Sequence, residues 1–136
     1  MVGDGPQREY LQRLSAKLNL SDIVRWEGAH PKPLIYYEAA DVFVMTPKEV
    51  GGDVEGYGIV YLEAGALGLP VIGSRTGGVV EAIDHGETGL LVNPGDPEGL
   101  AKAIIALLED EKLREKLGKR GREKAKQHTR TRLPEE

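Results

Sequence analysis

Val42-Phe43-Val44-Met45 is an unbroken apolar run set between Asp41 and Thr46. A strand with one wet face alternates apolar and polar side chains. A strand that is apolar at every position suits cover on both faces, which is the situation in parallel sheets. Parallel neighbours need long crossovers, usually helices, and the flanking sequence supplies them. Residues 33–40 read as a short helix before the run. Residues 47–54 form a Gly-rich loop after it, leading to a helix through about Leu67. A second strand is expected at 70–74, a short helix at 79–84 and a third strand at 89–93. Asp96 or Pro97 opens a helix with Leu100, Ile104, Leu107 and Leu108 on one stripe, and 112–126 is a last, more polar helix. Upstream, Pro6 is placed as a first helical residue, with Tyr10, Leu11, Leu14 and Leu18 at helical spacing. Asn19 and the Ser21-Asp22 pair end that helix before a strand at 23–27. The alternation predicts an α/β chain with a mostly parallel sheet.

Composition narrows the class. A chain of 136 residues can bury one core. No run approaches the ~18 apolar residues of a membrane span. No basic stretch followed by an apolar one opens the chain, so a cytoplasmic location is expected. With no cysteine, disulfides and thiolate metal sites are excluded. His30, His85 and His128 lie far apart and show no partner at metal or triad spacing. They are read as structural or exposed, and no metal or cofactor is expected. The Gly3-Asp4-Gly5 turn lacks a third glycine at dinucleotide spacing, which argues against an NAD site. No Gly-x-Ser-x-Gly elbow suggests an acyl nucleophile.

Charge is unevenly spread. Residues 1–111 carry 8 Lys/Arg against 18 Asp/Glu, whereas residues 112–132 carry 10 against 2. Such asymmetry can mark an anionic membrane surface as partner. The alternative is a solvated helix whose cations complement the negative end of its dipole. Residues 118–128 lack a strong apolar face, which favours the second reading. With almost no aromatic interleaving, nucleic acid is not expected as a partner.

The stretch with most chemical content is Val54-Glu55-Gly56-Tyr57-Gly58-Ile59-Val60-Tyr61-Leu62-Glu63-Ala64. Glu55 and Glu63 stand eight positions apart, with a Gly-aromatic-Gly turn between them leading into a helix. Glycines allow a ligand close to the backbone, and the first amides of a helix offer free N–H donors to an anion. Glu63 follows Ile59 by four residues and Val60 by three, which places it on their side of the helix. The amides of Ile59 and Val60 are the expected phosphate donors. An unpaired carboxylate among apolar neighbours would be costly, so Glu63 is either in a core ion pair, with Arg25 or Arg75, or committed to a ligand. Glu55 is either merely exposed or a sugar contact. Gly56 and Gly58 are simple turn glycines or the sites of diphosphate approach, and Tyr57 packs or touches ligand.

This stretch closely resembles the E-x7-E motif of retaining GT-B glycosyltransferases of the group 1 type. The order of further segments agrees: Val2-Gly3-Asp4-Gly5-Pro6, Val24-Arg25-Trp26-Glu27-Gly28, Ala39-Ala40-Asp41-Val42-Phe43-Val44, Gly68-Leu69-Pro70-Val71-Ile72-Gly73, Gly77-Gly78-Val79-Val80-Glu81, and Gly86-Glu87-Thr88-Gly89-Leu90-Leu91-Val92. The flavour is nearest to lipid-directed mannosyltransferases. The resemblance implies a Rossmann-like sheet with helices on both faces and a GDP- or UDP-hexose as partner. It implies that Glu55 bonds hydroxyls of the transferred sugar and Glu63 grips the ribose. It also implies that a strand, a helix and a Gly-Arg/Lys loop normally precede the Val2 strand. On this reading residues 1–128 are a truncated donor-binding domain, inactive alone, and 129–136 a tail. A missing central strand would leave unpaired edges that a homodimer could cover. The alternative of another class is a non-catalytic nucleotide-binding or assembly module.

Overall fold

A computed structural model of the chain describes residues 1, 6–28, 34–47 and 55–132, and in addition leaves out the side chains of 34, 55–57 and 129–132. The expected Val2 strand, the Gly3-Asp4-Gly5 turn, His30 and nearly all of the 47–54 loop lie outside the described residues. Two compact units are present, Met1–Tyr36 and Tyr37–Glu136.

The first unit holds α1 (Arg8–Lys17). Asn19, at φ 59, ends it in the left-handed conformation, and the Leu20 amide reaches back to the Ser15 carbonyl. The strand expected at 23–27 is not formed. Residues 21–23 are a turn, the Val24 amide reaches back to the Leu20 carbonyl, and among the described residues Arg25 and Glu27 meet the Met1 backbone. The Met1 ammonium donates to the Arg25 carbonyl at 2.6 Å, and the Glu27 amide to the Met1 carbonyl at 2.8 Å. The expected apolar stripe of α1 is not a core either, because Tyr10, Leu14 and Leu18 are exposed, as is Ile23.

α2 (Leu34–Ala39) begins in the first unit and ends in the second, which continues with β1 (Phe43–Met45), α3 (Glu55–Ala66), β2 (Val71–Ser74), α4 (Gly77–Ala82), β3 (Gly89–Val92), α5 (Pro97–Glu109) and α6 (Glu111–Arg132). The three strands form a parallel sheet in the order β1-β2-β3, with Phe43 level with Val71 and Val71 level with Gly89. Strand alternation divides the side chains between two clusters. Phe43, Met45, Val71 and Leu91 join Tyr61, Ala64, Val79, Ala82 and Ile83 on the face covered by α3 and α4. Val42, Ile72, Leu90 and Val92 join Leu100, Ala103, Ile104, Leu107, Leu113 and Leu117 on the face covered by α5 and the start of α6. Helices on both faces of a parallel sheet are the predicted arrangement. The stripe of α5 runs through Ala103 in place of Leu108, which is exposed. Asp96 caps α5, its carboxylate accepting from the Gly99 amide at 3.0 Å, with Pro97 next.

α6 continues past Lys126 to Arg132, since its Lys, Arg, Glu and Gln are good helix formers and no proline intervenes before Pro134. It crosses the N-terminal edge of the sheet. Arg114 donates to the Leu107 and Leu108 carbonyls at the end of α5, at 2.6 and 2.8 Å. Arg122 donates to the Leu67 carbonyl after α3. Lys124 reaches the Glu81 carbonyl in the last turn of α4 at 2.9 Å, and Asp84 at 3.0 Å. Arg120 pairs with Glu87. Three helix C-termini thus receive cations from one helix, where both free carbonyls and the dipole favour them. Much of the basic charge of 112–132 serves the fold in this way. Lys112, Lys116, Lys119 and Lys126 remain as an exposed face.

Glycines permit this crossing. The space a Cβ would need at Gly118 is filled by the Gly68 carbonyl, whereas at Gly121 the nearest atoms stand at an ordinary 3.6 Å. Gly118→Ala should therefore destabilise by about 1–3 kcal/mol through overpacking. Gly121→Ala should be neutral or stabilising by up to about 1 kcal/mol from helix propensity. Urea unfolding of the two variants checks the contrast, which is lost if both shift the midpoint in the same direction by the same amount.

Candidate functional site

The C-terminal edge of a parallel sheet is where ligands collect in open α/β folds. Here that edge comprises the ends of β1 and β2, the start of α3 and the Gly77-Gly78 pair. β1 leaves the sheet through Met45, Thr46 and Pro47. Tyr61 Oη donates to the Met45 carbonyl at 2.5 Å, and Ser74 Oγ to the Pro47 carbonyl at 2.7 Å. Thr76, after β2, is buried, and its hydroxyl has no partner among the described residues. Gly77 and Gly78 are not a loop, as the sequence suggested, but the first turn of α4. Gly58 lies against that turn, so that a Cβ on Gly58 would stand 3.4 Å from the Gly78 carbonyl. The two glycine-bearing segments are brought together.

α3 begins at Glu55. Gly56, Tyr57 and Gly58 are therefore helical and do not form a turn ahead of the helix. The open amides belong to its first turn, residues 55–57. Ile59 and Val60 stand in the second turn, where their N–H groups are committed to the helical ladder, which moves the anion-facing donors earlier than expected. Glu55 and Glu63 lie on one helix with a rise between them of about 12 Å. The side chains of Glu55 and Tyr57 lie outside the described residues.

Glu63 is exposed, which corrects the expectation of a buried carboxylate. Leu62 and Ala64 beside it turn to other sides of the helix, so the apolar sequence around Glu63 does not enclose it. Among the described residues it has no ion-pair partner, and Arg25 is taken by Glu27 at 3.1 Å. A carboxylate in water needs neither alternative proposed for a buried one. Its field is felt by Tyr37, a half-buried residue whose ring packs edge-on against Phe43 at 5.3 Å. Burial, and then the Glu63 charge, raise the Tyr37 hydroxyl above its ordinary value of 10.0.

A cleft of about 360 Å³ opens beside α3, lined by Gly58, Ile59, Leu62, Glu81, Lys124 and His128 among others. Glu63 is not among its lining residues, so this cleft is not the space between the two glutamates. His85 is structural, its Nδ1 accepting from the Leu91 amide at 2.9 Å. Sequence reasoning passed over Ser74, Tyr61 and Thr76. The available signal was a hydroxyl ending an apolar strand.

Residues 1–124 match the family model described as "Glycosyl transferases group 1". The chain belongs to that family. It is 37% identical over 123 residues to N-acetyl-alpha-D-glucosaminyl L-malate synthase of Bacillus anthracis, covering 90% of this chain and 31% of that protein. It is 38% identical over 126 residues to a GDP-mannose-dependent alpha-(1-6)-phosphatidylinositol monomannoside mannosyltransferase of Mycolicibacterium smegmatis, covering 90% of this chain and 33% of that one. Among solved structures, HepE of Anabaena in complex with UDP-glucose superposes with a TM-score of 0.80 at 28% identity, over 93% of this chain and 35% of HepE. Sucrose-phosphate synthase of Thermosynechococcus elongatus does so with a TM-score of 0.79 at 37% identity, over 93% of this chain and 33% of the synthase. The chain spans about a third of the length of these relatives. The Rossmann-like α/β sheet and the glycosyltransferase family membership expected from the motifs are both found.

The placement of Glu63 beside Tyr37 can be checked by titration. The folded chain holds the Tyr37 proton more tightly than the unfolded one, so this group costs the fold nothing below pH 10 and stability falls as pH rises from there through the raised value. Glu63→Gln should lower the Tyr37 midpoint part of the way toward normal, leaving the share due to burial. NMR of ring-labelled tyrosine reads this, and an unmoved midpoint would separate the two residues.

Proposed function

We infer that this chain is the nucleotide-sugar-binding part of a retaining glycosyltransferase that transfers a hexose from a GDP- or UDP-sugar. The observation that carries the reading is the single helix α3. It leaves the C-terminal edge of the sheet with open first-turn amides, begins at Glu55 and exposes Glu63 about 12 Å further on. An anion at the helix start meets N–H donors and the positive end of the dipole. In the proposed pose the diphosphate lies there, Glu63 accepts from the ribose hydroxyls and Glu55 from the sugar.

As the glycosidic bond breaks, negative charge grows on the departing diphosphate, and amides already aimed at it need no reorganisation. The close approach of Gly58 to the first turn of α4 supports the reading, because it leaves no side chain between the two glycine segments. Relatives named for GDP-mannose and a neighbour solved with UDP-glucose support both donor classes. Residues 1–136 alone are proposed to bind the donor without transferring it, the family's Arg and Lys after its first strand having no counterpart in the matched motifs. Contact with an anionic membrane surface would fall to the exposed Lys112, Lys116, Lys119 and Lys126.

Glu63→Gln should weaken GDP and UDP binding about tenfold, as expected for one hydrogen bond to a charged group. Glu55→Gln should spare nucleotide affinity and lower sugar transfer by the whole enzyme. Isothermal calorimetry with unchanged nucleotide affinity for the Glu63 variant would sink the ribose assignment.

The exposed Tyr10, Leu14, Leu18 and Ile23 support self-association of this chain. Light scattering of residues 1–136 should show a dimer or larger species. A monomer across a wide concentration range refutes that part of the reading.

A further inference from the structure

We propose that Ser74 and Tyr61 are positioning residues, whose two hydroxyls set where the chain leaves β1 on its way to Glu55. The proposal rests on the reading above, which puts the transferred sugar at Glu55. Both donors come from the core. Tyr61 is 2% exposed and Ser74 not exposed at all. A hydroxyl in such a place is costly unless it is bonded, and phenylalanine or alanine would fill nearly the same space without that demand. Yet both hydroxyls end on backbone carbonyls two residues apart, at Met45 and Pro47. That is the point where β1 stops and its carbonyls run out of ladder partners, so other donors must serve them.

The two bonds come from different elements. Ser74 is the last residue of β2, the neighbouring strand. Tyr61 belongs to α3 itself, six positions after Glu55, or about 9 Å along the helix. Its ring is held edge-on to Phe43 at 5.8 Å, and Phe43 in turn meets Tyr37, so packing fixes the direction of the hydroxyl. One bond therefore sets the height of α3 against the end of β1, and the other fixes the start of the connection between them. Glu55 follows that connection directly. Both hydroxyls bond the end of β1. Their loss should disturb the sugar end of the site and leave the ribose end alone.

The test compares Ser74→Ala and Tyr61→Phe, with Ser74→Thr as the variant that restores a hydroxyl, in the longest natural reading frame containing this chain. Hydrogen exchange over peptides spanning 46–60 should quicken about tenfold in the first two variants, with 89–92 unchanged and Ser74→Thr close to the parent. Affinity for GDP and UDP should stay within about twofold, while kcat with GDP-mannose or UDP-glucose falls about tenfold. Unchanged exchange over 46–60 overturns the proposal. So does a parallel fall of nucleotide affinity, kcat and melting temperature, which would mark both hydroxyls as supports of the fold alone. If the parent binds none of the four nucleotides while exchange responds as expected, the functional reading fails and the anchoring of this connection stands.

Discussion

Backbone-to-backbone contact between α6 and the turns that feed β2 is the constraint on which the second unit depends. A side chain on Gly118 would run into the Gly68 carbonyl, and one on Gly65 would crowd the Gly121 carbonyl. Because the helix can come so close, its cations reach carbonyls that would otherwise lack donors at the ends of α3, α4 and α5. The same approach lets Leu117 enter the cluster under α5. Individually these ion-to-carbonyl contacts on a partly wet surface are small terms. Together with the glycine contact they fix three helix ends with one element.

The opposite rim of the sheet is held differently. It has no crossing helix among the described residues, and its connections are fixed by side-chain hydroxyls from within the core. Gly73 allows this arrangement. The position of a Cβ there is already occupied by Val79, Ile83 and Tyr61, so α4 and the Tyr61 ring sit directly on the strand. The site residues then follow from where α3 starts, which is a consequence of packing beneath it.

How much could be read in advance depended on whether neighbours in sequence were also neighbours in space. The runs at Val42-Phe43-Val44-Met45 and at β2 announced a parallel sheet because burial on both faces leaves no polar position. Asp96-Pro97 and Asn19 marked helix ends through local backbone chemistry alone. The strand at 23–27 is replaced at its start by a turn, in which the amides of Ile23 and Val24 both return to the Leu20 carbonyl, a local bond that the apolar pattern does not announce. Glu63 was misplaced because apolar neighbours along the chain were taken as neighbours around the side chain. On a helix, adjacent residues face different ways. The roles of Ser74 and Tyr61 were invisible for a related reason, since each bonds a carbonyl 16 or more positions away.

The two rims of the sheet are held by different means, glycine contact and cations at one and core hydroxyls at the other. Where α6 passes, any opening must break the glycine contact and three sets of carbonyl bonds at once, so that rim moves as one stiff body. At the other rim, the Tyr61 and Ser74 hydroxyls hold the end of β1, and Gly58 lies against the first turn of α4. In the proposed pose, a ligand at that rim would meet two helix starts whose backbones already lie against each other. On the proposed reading, the donor site and the glycine contact of α6 fall on opposite rims of the second unit.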